Sequence, residues 1–285
     1  MSASLVVASS VEEAVRELAS GARPVAGGTD LVVGARQGKA PLPEQLVAIH
    51  RIDELRSMHE ADGTLRIGAL ATHAELTAHS LVRDRLTALA DAAAIVGSHA
   101  TRAQGTIGGN LMNASPAMET GGPLLCFDAS VLLRSASGSR AVGVGELLAG
   151  PGKTTAAPDE LLEAVEVRIP GEATGSCYLR LEYRRQMEIA VVGATAVLTL
   201  DDGRVTDARV AITALAPTIR RVREAEEALI GGAKAQEAAQ LAAEAAEPIS
   251  DVRASARYRQ AMAAVITRRA IETAAARARG EDVRA

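Results

Sequence analysis

The chain has 285 residues, 48% of them hydrophobic, with 31 basic and 35 acidic side chains and a formal charge of −4. That length supports two or three domains with true cores, and the mildly acidic balance without a basic cluster argues against nucleic acid as a partner. No apolar run approaches the roughly 20 residues needed to span a bilayer, and no basic segment precedes the short apolar run at 5–8 as in a secretory signal, so the expected location is cytoplasmic.

Taken in chain order, Ser10 and Glu13 have capping-box spacing ahead of an apolar stripe of Val11, Ala14, Val15 and Leu18, with Gly21 as the stop. A brief strand over 24–26 enters a Gly27-Gly28 turn, and a strand over 45–49 precedes a helical turn at 52–55. Asp62-Gly63 predicts a hairpin between 58–60 and 64–68. Helices are expected over 74–80 and 81–95, then strands over 129–134 and 140–144 around Ser137-Gly138, and a strand over 162–169 closed by Pro170-Gly171. Beyond these, 177–183, 190–200 and 205–214 read as three antiparallel strands, the last two joined by Asp202-Gly203. Helices follow over 222–229, 233–246 and 254–279, the last with Tyr258, Met262, Val265, Ile266 and Arg269 on one face. The fold class is therefore α+β. A two-part N-terminal unit of small mixed sheets with helices, 1–55 and 56–172, precedes a C-terminal unit, 173–285, with a three-stranded antiparallel sheet packed with helices.

The chemistry concentrates in residues 105–119, Gly-Thr-Ile-Gly-Gly-Asn-Leu-Met-Asn-Ala-Ser-Pro-Ala-Met-Glu, which contain no Lys or Arg. Glycine allows positive φ and close backbone approach. Consecutive exposed N–H groups around Gly105, Gly108 and Gly109 would form an anion-binding concavity, with Thr106 and Asn110 adding side-chain hydrogen bonds. A second run of the same character lies upstream, Val25-Ala26-Gly27-Gly28-Thr29-Asp30-Leu31-Val32. Two such loops suggest a long dinucleotide clasped from two sides. Neither has the G-x-G-x-x-G spacing of a Rossmann fingerprint.

Other signals are weak. Cys126 and Cys177 cannot supply the four thiolates of an iron–sulfur cluster and form no C-x-x-C pair. The five histidines, His50, His59, His73, His79 and His99, have no metal-ligand spacing, so no protein-bound metal is expected. Gly150-Pro151-Gly152-Lys153-Thr154 resembles the end of a P-loop, but Leu147 stands where its first glycine belongs and Pro151 lacks an N–H. Lys153 reads as a surface-loop residue. Redox chemistry here would require an organic cofactor, and with only Phe127, Tyr178, Tyr183 and Tyr258 as aromatics its ring would rest on aliphatic walls.

The two glycine runs in this order and spacing resemble the flavoprotein subunit of molybdenum hydroxylases, the family that includes the FAD domain of xanthine dehydrogenase and the medium subunit of carbon monoxide dehydrogenase. The resemblance covers nearly the whole chain. It is carried further by Ile67-Gly68-Ala69-Leu70-Ala71-Thr72-His73, by Glu166-Val167-Arg168-Ile169-Pro170 and by Arg184-Arg185-Gln186-Met187-Glu188-Ile189-Ala190. The segment from His99 to Gln104 departs from the family's Gln-Ile-Arg-Asn-Arg, keeping Arg102.

The resemblance implies FAD as cofactor, bound by the N-terminal unit with the C-terminal unit beside it. Gly27, Gly28, Gly108 and Gly109 would approach the diphosphate, with Thr29, Asp30, Thr106 and Asn110 as polar contacts. Val25, Ala26, Leu31, Ala69, Arg102 and Ile107 would complete the binding segments. Glu119 would accept from ribityl or ribose hydroxyls, Arg180 would reach the flavin or its phosphates, and Ile189 would line the ring. No side chain is assigned as catalytic. The resemblance further implies a molybdopterin-binding large subunit and an iron–sulfur small subunit as partners. Electrons would pass from the clusters through FAD to NAD, a quinone or oxygen. A self-sufficient FAD-dependent oxidoreductase and a non-catalytic nucleotide-binding module are the alternatives.

Overall fold

The computed structural model describes residues 4–285, so the first three residues of the expected 1–55 segment lie outside the described residues. The apolar run at 5–8 contributes to β1 (Ser4–Val7). Helix α1 (Val11–Ala19) buries Val11, Ala14, Val15 and Leu18, as the stripe requires. Only half of the capping box forms: the Ser10 hydroxyl accepts the Glu13 N–H, while the Glu13 carboxylate turns to the Ser9 N–H and hydroxyl, each at 2.8 Å. Strand β2 (Arg23–Val25), a short helix α2 (Leu31–Arg36) absent from the sequence reading, and β3 (Gln45–Ala48) follow. The strands form a parallel sheet in the order β1-β3-β2, with α1 closing a small core around Val47, Ile49 and Leu55.

After a 3-10 turn (Asp53–Arg56), β4 (Met58–Ala61) and β5 (Thr64–Gly68) pair across Asp62 and Gly63. Both turn residues have positive φ, 50° and 71°, as a two-residue hairpin of this kind requires. Six short helices follow: α3 (His73–Ala78), α4 (Ser80–Arg85), α5 (Thr87–Ala94), α6 (His99–Gln104), α7 (Ile107–Asn113) and α8 (Gly121–Cys126). The second expected helix is split at Leu86, which leaves the helical region at φ −114°, ψ 47° with its side chain fully buried. Next come β6 (Ser130–Ser135), β7 (Gly138–Gly143), α9 (Val144–Leu147), the two-stranded ribbon of β8 (Leu148–Gly150) and β9 (Lys153–Thr154), and β10 (Leu161–Arg168). Strand β10 runs centrally in a five-stranded antiparallel sheet of order β4-β5-β10-β6-β7.

The C-terminal sheet has four strands, not three: β11 (Thr174–Leu181), β12 (Val192–Asp201), β13 (Arg204–Thr213) and the two-residue β14 (Arg220–Arg221), antiparallel in that order. One face packs α10 (Arg223–Ile230), α11 (Ala235–Glu244) and α12 (Ala256–Ala278). The other face contributes Tyr178, Val197 and Ala211 to the core of the central unit. The buried stripe of α12 is Arg259, Ala263, Ile266, Thr267, Ala270, Ile271 and Ala274, about one position round from the expected face, and Tyr258 and Arg269 are exposed. The small residues of the stripe let the helix lie close on the sheet, Ala274 against Gly175 above all. No helix among the described residues is long and apolar enough to cross a membrane.

Candidate cofactor site

The first glycine run leaves the sheet at the end of β2 and turns into α2. Val25 to Thr29 and Leu31 are half-buried, and Asp30 is exposed. Gly28 takes φ +68°, a conformation that a side chain resists. The N–H groups of Gly27, Gly28, Thr29 and Asp30 donate to no acceptor among the described residues, while the Gly28 and Asp30 carbonyls accept from Val32 and Gly34. Although the residue as a whole is exposed, partial desolvation raises the Asp30 carboxyl above its ordinary value, with Lys39 opposing. The result is a row of unengaged donors with no cation among them.

This run presses directly on the second. A Cβ on Gly27 would stand 1.8 Å from the Gln104 carbonyl oxygen, and one on Gly105 would meet Thr29 Oγ1 and His73 Cδ2, each at 3.4 Å. His73 also donates its backbone N–H to the Gly105 carbonyl. Its ring is buried, with Nδ1 unpartnered, and burial plus the nearby Arg102 charge push it down to about 4, so it is neutral.

The second run differs from the expected open loop. Gly105, Gly108 and Gly109 do not have positive φ. Gly105 donates to Thr101, Ile107 to Ala71, Gly108 to Ala69, and Asn110 to the Thr106 carbonyl, while Thr106 Oγ1 caps the Gly109 N–H at 3.1 Å. These donors are occupied because residues 107–113 form α7, laid against residues 69–71. Gly108 permits that contact, since a Cβ there would be 2.7 Å from Ala69 Cβ and 2.8 Å from its carbonyl oxygen. Ala69 and Ile107 are therefore buried in the core behind the run. The Thr106 N–H and the Asn110 amide nitrogen donate to no acceptor among the described residues. Asn110 Oδ1 accepts from Thr120 Oγ1 at 2.6 Å. Arg102 points elsewhere, donating to the Val96 carbonyl at 3.0 Å and contacting His99 Nδ1 at 3.1 Å.

A second group lies across the junction with the C-terminal sheet. Arg180, on β11, has a side chain only 1% exposed and meets Glu119 Oε1 at 2.5 Å and Glu182 Oε2 at 2.5 Å. Its Nη1 also donates to the Glu188 carbonyl at 3.2 Å, tying down the loop after β11. Burial pushes the Glu119 carboxyl upward and the Arg180 charge opposes this. In the same loop Ile189 is exposed. Met187, at φ +53°, donates its N–H to the Gly97 carbonyl at 2.9 Å, and its sulfur accepts from Thr101 Oγ1 at 3.7 Å. The loop thus reaches back to α6, which ends at Gln104 beside Gly27.

Of the expected residues, Gly27 and Thr29 lie against Gly105 at the start of the second run, Glu119 and Arg180 pair with one another, and Ala69, Ile107 and Gly108 sit behind. The sequence reading missed Gln104, His73, Thr120 and Met187. His73 and Met187 both lie within segments that carry the resemblance, but no contact of either side chain is marked by the sequence. A cleft of about 710 Å³ opens along the free edge of β11, lined by Arg180, Glu182 and the Asp91–Arg277 pair. It contains no residue of either glycine run.

Comparison with known proteins gives two family matches: an FAD binding domain in molybdopterin dehydrogenase over residues 1–170, and a CO dehydrogenase flavoprotein C-terminal domain over residues 178–274. The chain is 36% identical to the 6-hydroxypseudooxynicotine dehydrogenase complex subunit alpha of Paenarthrobacter nicotinovorans, covering 96% of this chain and 95% of that one. It is 34% identical to the carbon monoxide dehydrogenase medium chain of Hydrogenophaga pseudoflava, covering 94% and 95%. A solved carbon monoxide dehydrogenase from Hydrogenophaga pseudoflava superposes with a TM-score of 0.92 at 33% identity, covering 97% of this chain and 98% of that one.

Proposed function

Because the chain belongs to the family of FAD-binding flavoprotein subunits of molybdenum hydroxylases, we propose that it is the subunit through which such a complex passes electrons from iron–sulfur clusters to an external acceptor. Its partners in this reading are a molybdopterin-binding large subunit and an iron–sulfur small subunit, in the cytoplasm. The acceptor is NAD, a quinone or oxygen. When bound, FAD supplies the centre that accepts electrons from the clusters and delivers them onward.

The observation that carries the reading is the row of unengaged N–H groups from Gly27 to Asp30, held against Gln104 and Gly105. Several convergent backbone donors suit a diphosphate without a lysine. In this assignment the segments 1–55 and 56–172 bind the dinucleotide between Val25–Leu31 and Thr106–Asn110, and 173–285 forms the flavin side. Gly108 and Gly109 bring α7 close, and Ala69 and Ile107 support it from behind. Arg102 fixes the end of α5. Glu119 keeps Oε1 on Arg180 and offers Oε2 to a ribityl or ribose hydroxyl. Arg180 positions the loop that presents Ile189 to the ring.

Purified protein released of its cofactor by acid tests the reading. Chromatography should identify FAD. FMN as the sole flavin would contradict it, since FMN has no diphosphate for two loops to hold.

A further inference from the structure

The inner face of the C-terminal sheet, where it meets α8, carries a group of buried polar atoms that the cofactor reading leaves unused. Tyr178 Oη, Thr195 Oγ1 and Thr213 Oγ1 are all buried without a hydrogen-bond partner among the described residues. The register brings them together. Tyr178 lies opposite Thr195, and Gly193 lies opposite both Arg180 on one side and Thr213 on the other. Side chains on paired strands at these positions share one face. Two glycines keep the space between them free of carbon. A Cβ on Gly193 would be 2.8 Å from Tyr178 Oη, and one on Gly122 would be 2.5 Å from Thr195 Oγ1 and 3.1 Å from Thr213 Oγ1.

Buried hydroxyls without partners are costly and uncommon, and a cluster of them calls for something to hydrogen-bond. Each hydroxyl here both donates and accepts. Burial, reinforced by the Glu119 charge, pushes the Tyr178 phenol well above its ordinary value, so it keeps its proton. Arg180 is already held by the carboxylates of Glu119 and Glu182, so the three neutral hydroxyls face no uncompensated cation that would select an anion. The fitting occupant is small, neutral and able to make several hydrogen bonds at once, which describes water.

We propose that Tyr178, Thr195 and Thr213 form an internal hydration site at the junction of the central and C-terminal units. The bound water completes the hydrogen bonding of the three hydroxyls, beside the guanidinium that holds Glu119, Glu182 and the Glu188 carbonyl. This site does not depend on the identity of the cofactor.

The test is a set of near-isosteric substitutions, Thr195→Val, Thr213→Val and the double variant, in the full chain purified as it is expressed. It is read by melting temperature and by ordered solvent in a high-resolution crystal structure of the wild type. A hydration site predicts solvent density within hydrogen-bond distance of Tyr178 Oη and both threonine hydroxyls. It also predicts a lower melting temperature for each single variant and a double variant that loses less than the sum, because the second substitution removes a hydroxyl whose water has already gone. A dry cluster predicts no density and valine variants as stable as wild type or more so, with additive effects. Either of those results would overturn the proposal, and if the variants do not fold the density decides alone.

Discussion

The carboxylate of Glu119 and the guanidinium of Arg180 meet across the junction between the central unit and the C-terminal sheet, Oε1 to Nη1 at 2.5 Å, with both side chains buried. Arg180 is the only cation paired to Glu119 among the described residues, whereas Arg180 has Glu182 as a second partner. The two ends of this pair are therefore unequal. Replacing Arg180 with Met strands a buried carboxylate and should cost about 3–5 kcal/mol of unfolding free energy. Glu119→Gln should cost less, roughly 1–3 kcal/mol, because Glu182 still faces the guanidinium. Urea denaturation of the two variants measures this, with Arg180→Lys expected to recover part of the loss. Equal and small effects would mean that the pair is loosely held in solution.

Stability should also depend on pH through His73. Its folded-state value is pushed from 6.5 down to about 4 by burial, aided by Arg102. Above pH 6.5 the ring is neutral in both the folded and unfolded chain, and its contribution is complete. As the pH falls from about 6.5 to about 4, the unfolded chain takes up a proton that the folded chain refuses, so stability falls, and the loss levels off below that. The shift corresponds to roughly 3 kcal/mol. A His73→Leu variant should lose less stability than wild type between pH 7 and pH 4.5, measured by urea midpoints. Parallel pH profiles for the two proteins would contradict the neutral, buried ring.

The glycines of the first run should separate by mechanism. Gly27→Ala places a methyl 1.8 Å from a backbone carbonyl oxygen that cannot rotate aside. The two runs must move apart, and FAD affinity should fall about tenfold or more, equivalent to ~1.4 kcal/mol or above. Gly28→Ala and Gly63→Ala both force a side chain to positive φ, +68° and +71°, and each should lose about 1–2 kcal/mol of stability. Gly63 has open space around it and its variant should bind FAD as wild type does. Equilibrium titration of apoprotein with FAD distinguishes the three.

Much of the architecture was legible because local constraints are sharp. The Asp62-Gly63 and Asp202-Gly203 turns stand out in sequence because all four residues must take positive φ. The failures have physical causes. Residues 105–109 read as a loop because adjacent glycines disfavour a helix. Burial of Ile107 and Leu111 four residues apart, and the Thr106 cap, override that preference. Strand β14 has two residues, too few for any alternation to show. At the site, the first run was read as a donor loop and its donors are unengaged. The second was given the same role, yet its N–H groups are spent on α7 and on residues 69–71. A Gly108→Val variant should therefore be chiefly less stable, because its side chain would collide with Ala69.

The isolated chain should carry flavin yet show no bleaching of it by an aldehyde or heterocycle in the absence of partner subunits. Anaerobic spectra after substrate addition test this. Bleaching by such a substrate alone would favour a self-sufficient oxidoreductase.

Amide hydrogen exchange with and without FAD tests the central claim most directly, since it reads the proposed donors themselves. The N–H groups of Gly27, Gly28, Thr29 and Asp30 should exchange rapidly in apoprotein and slow when FAD is added. Those of Ile107, Gly108 and Asn110, already bonded within the protein, should be protected in both states. If FAD bound and left the exchange of residues 27–30 unchanged, the diphosphate would lie elsewhere and the site assigned here would be wrong.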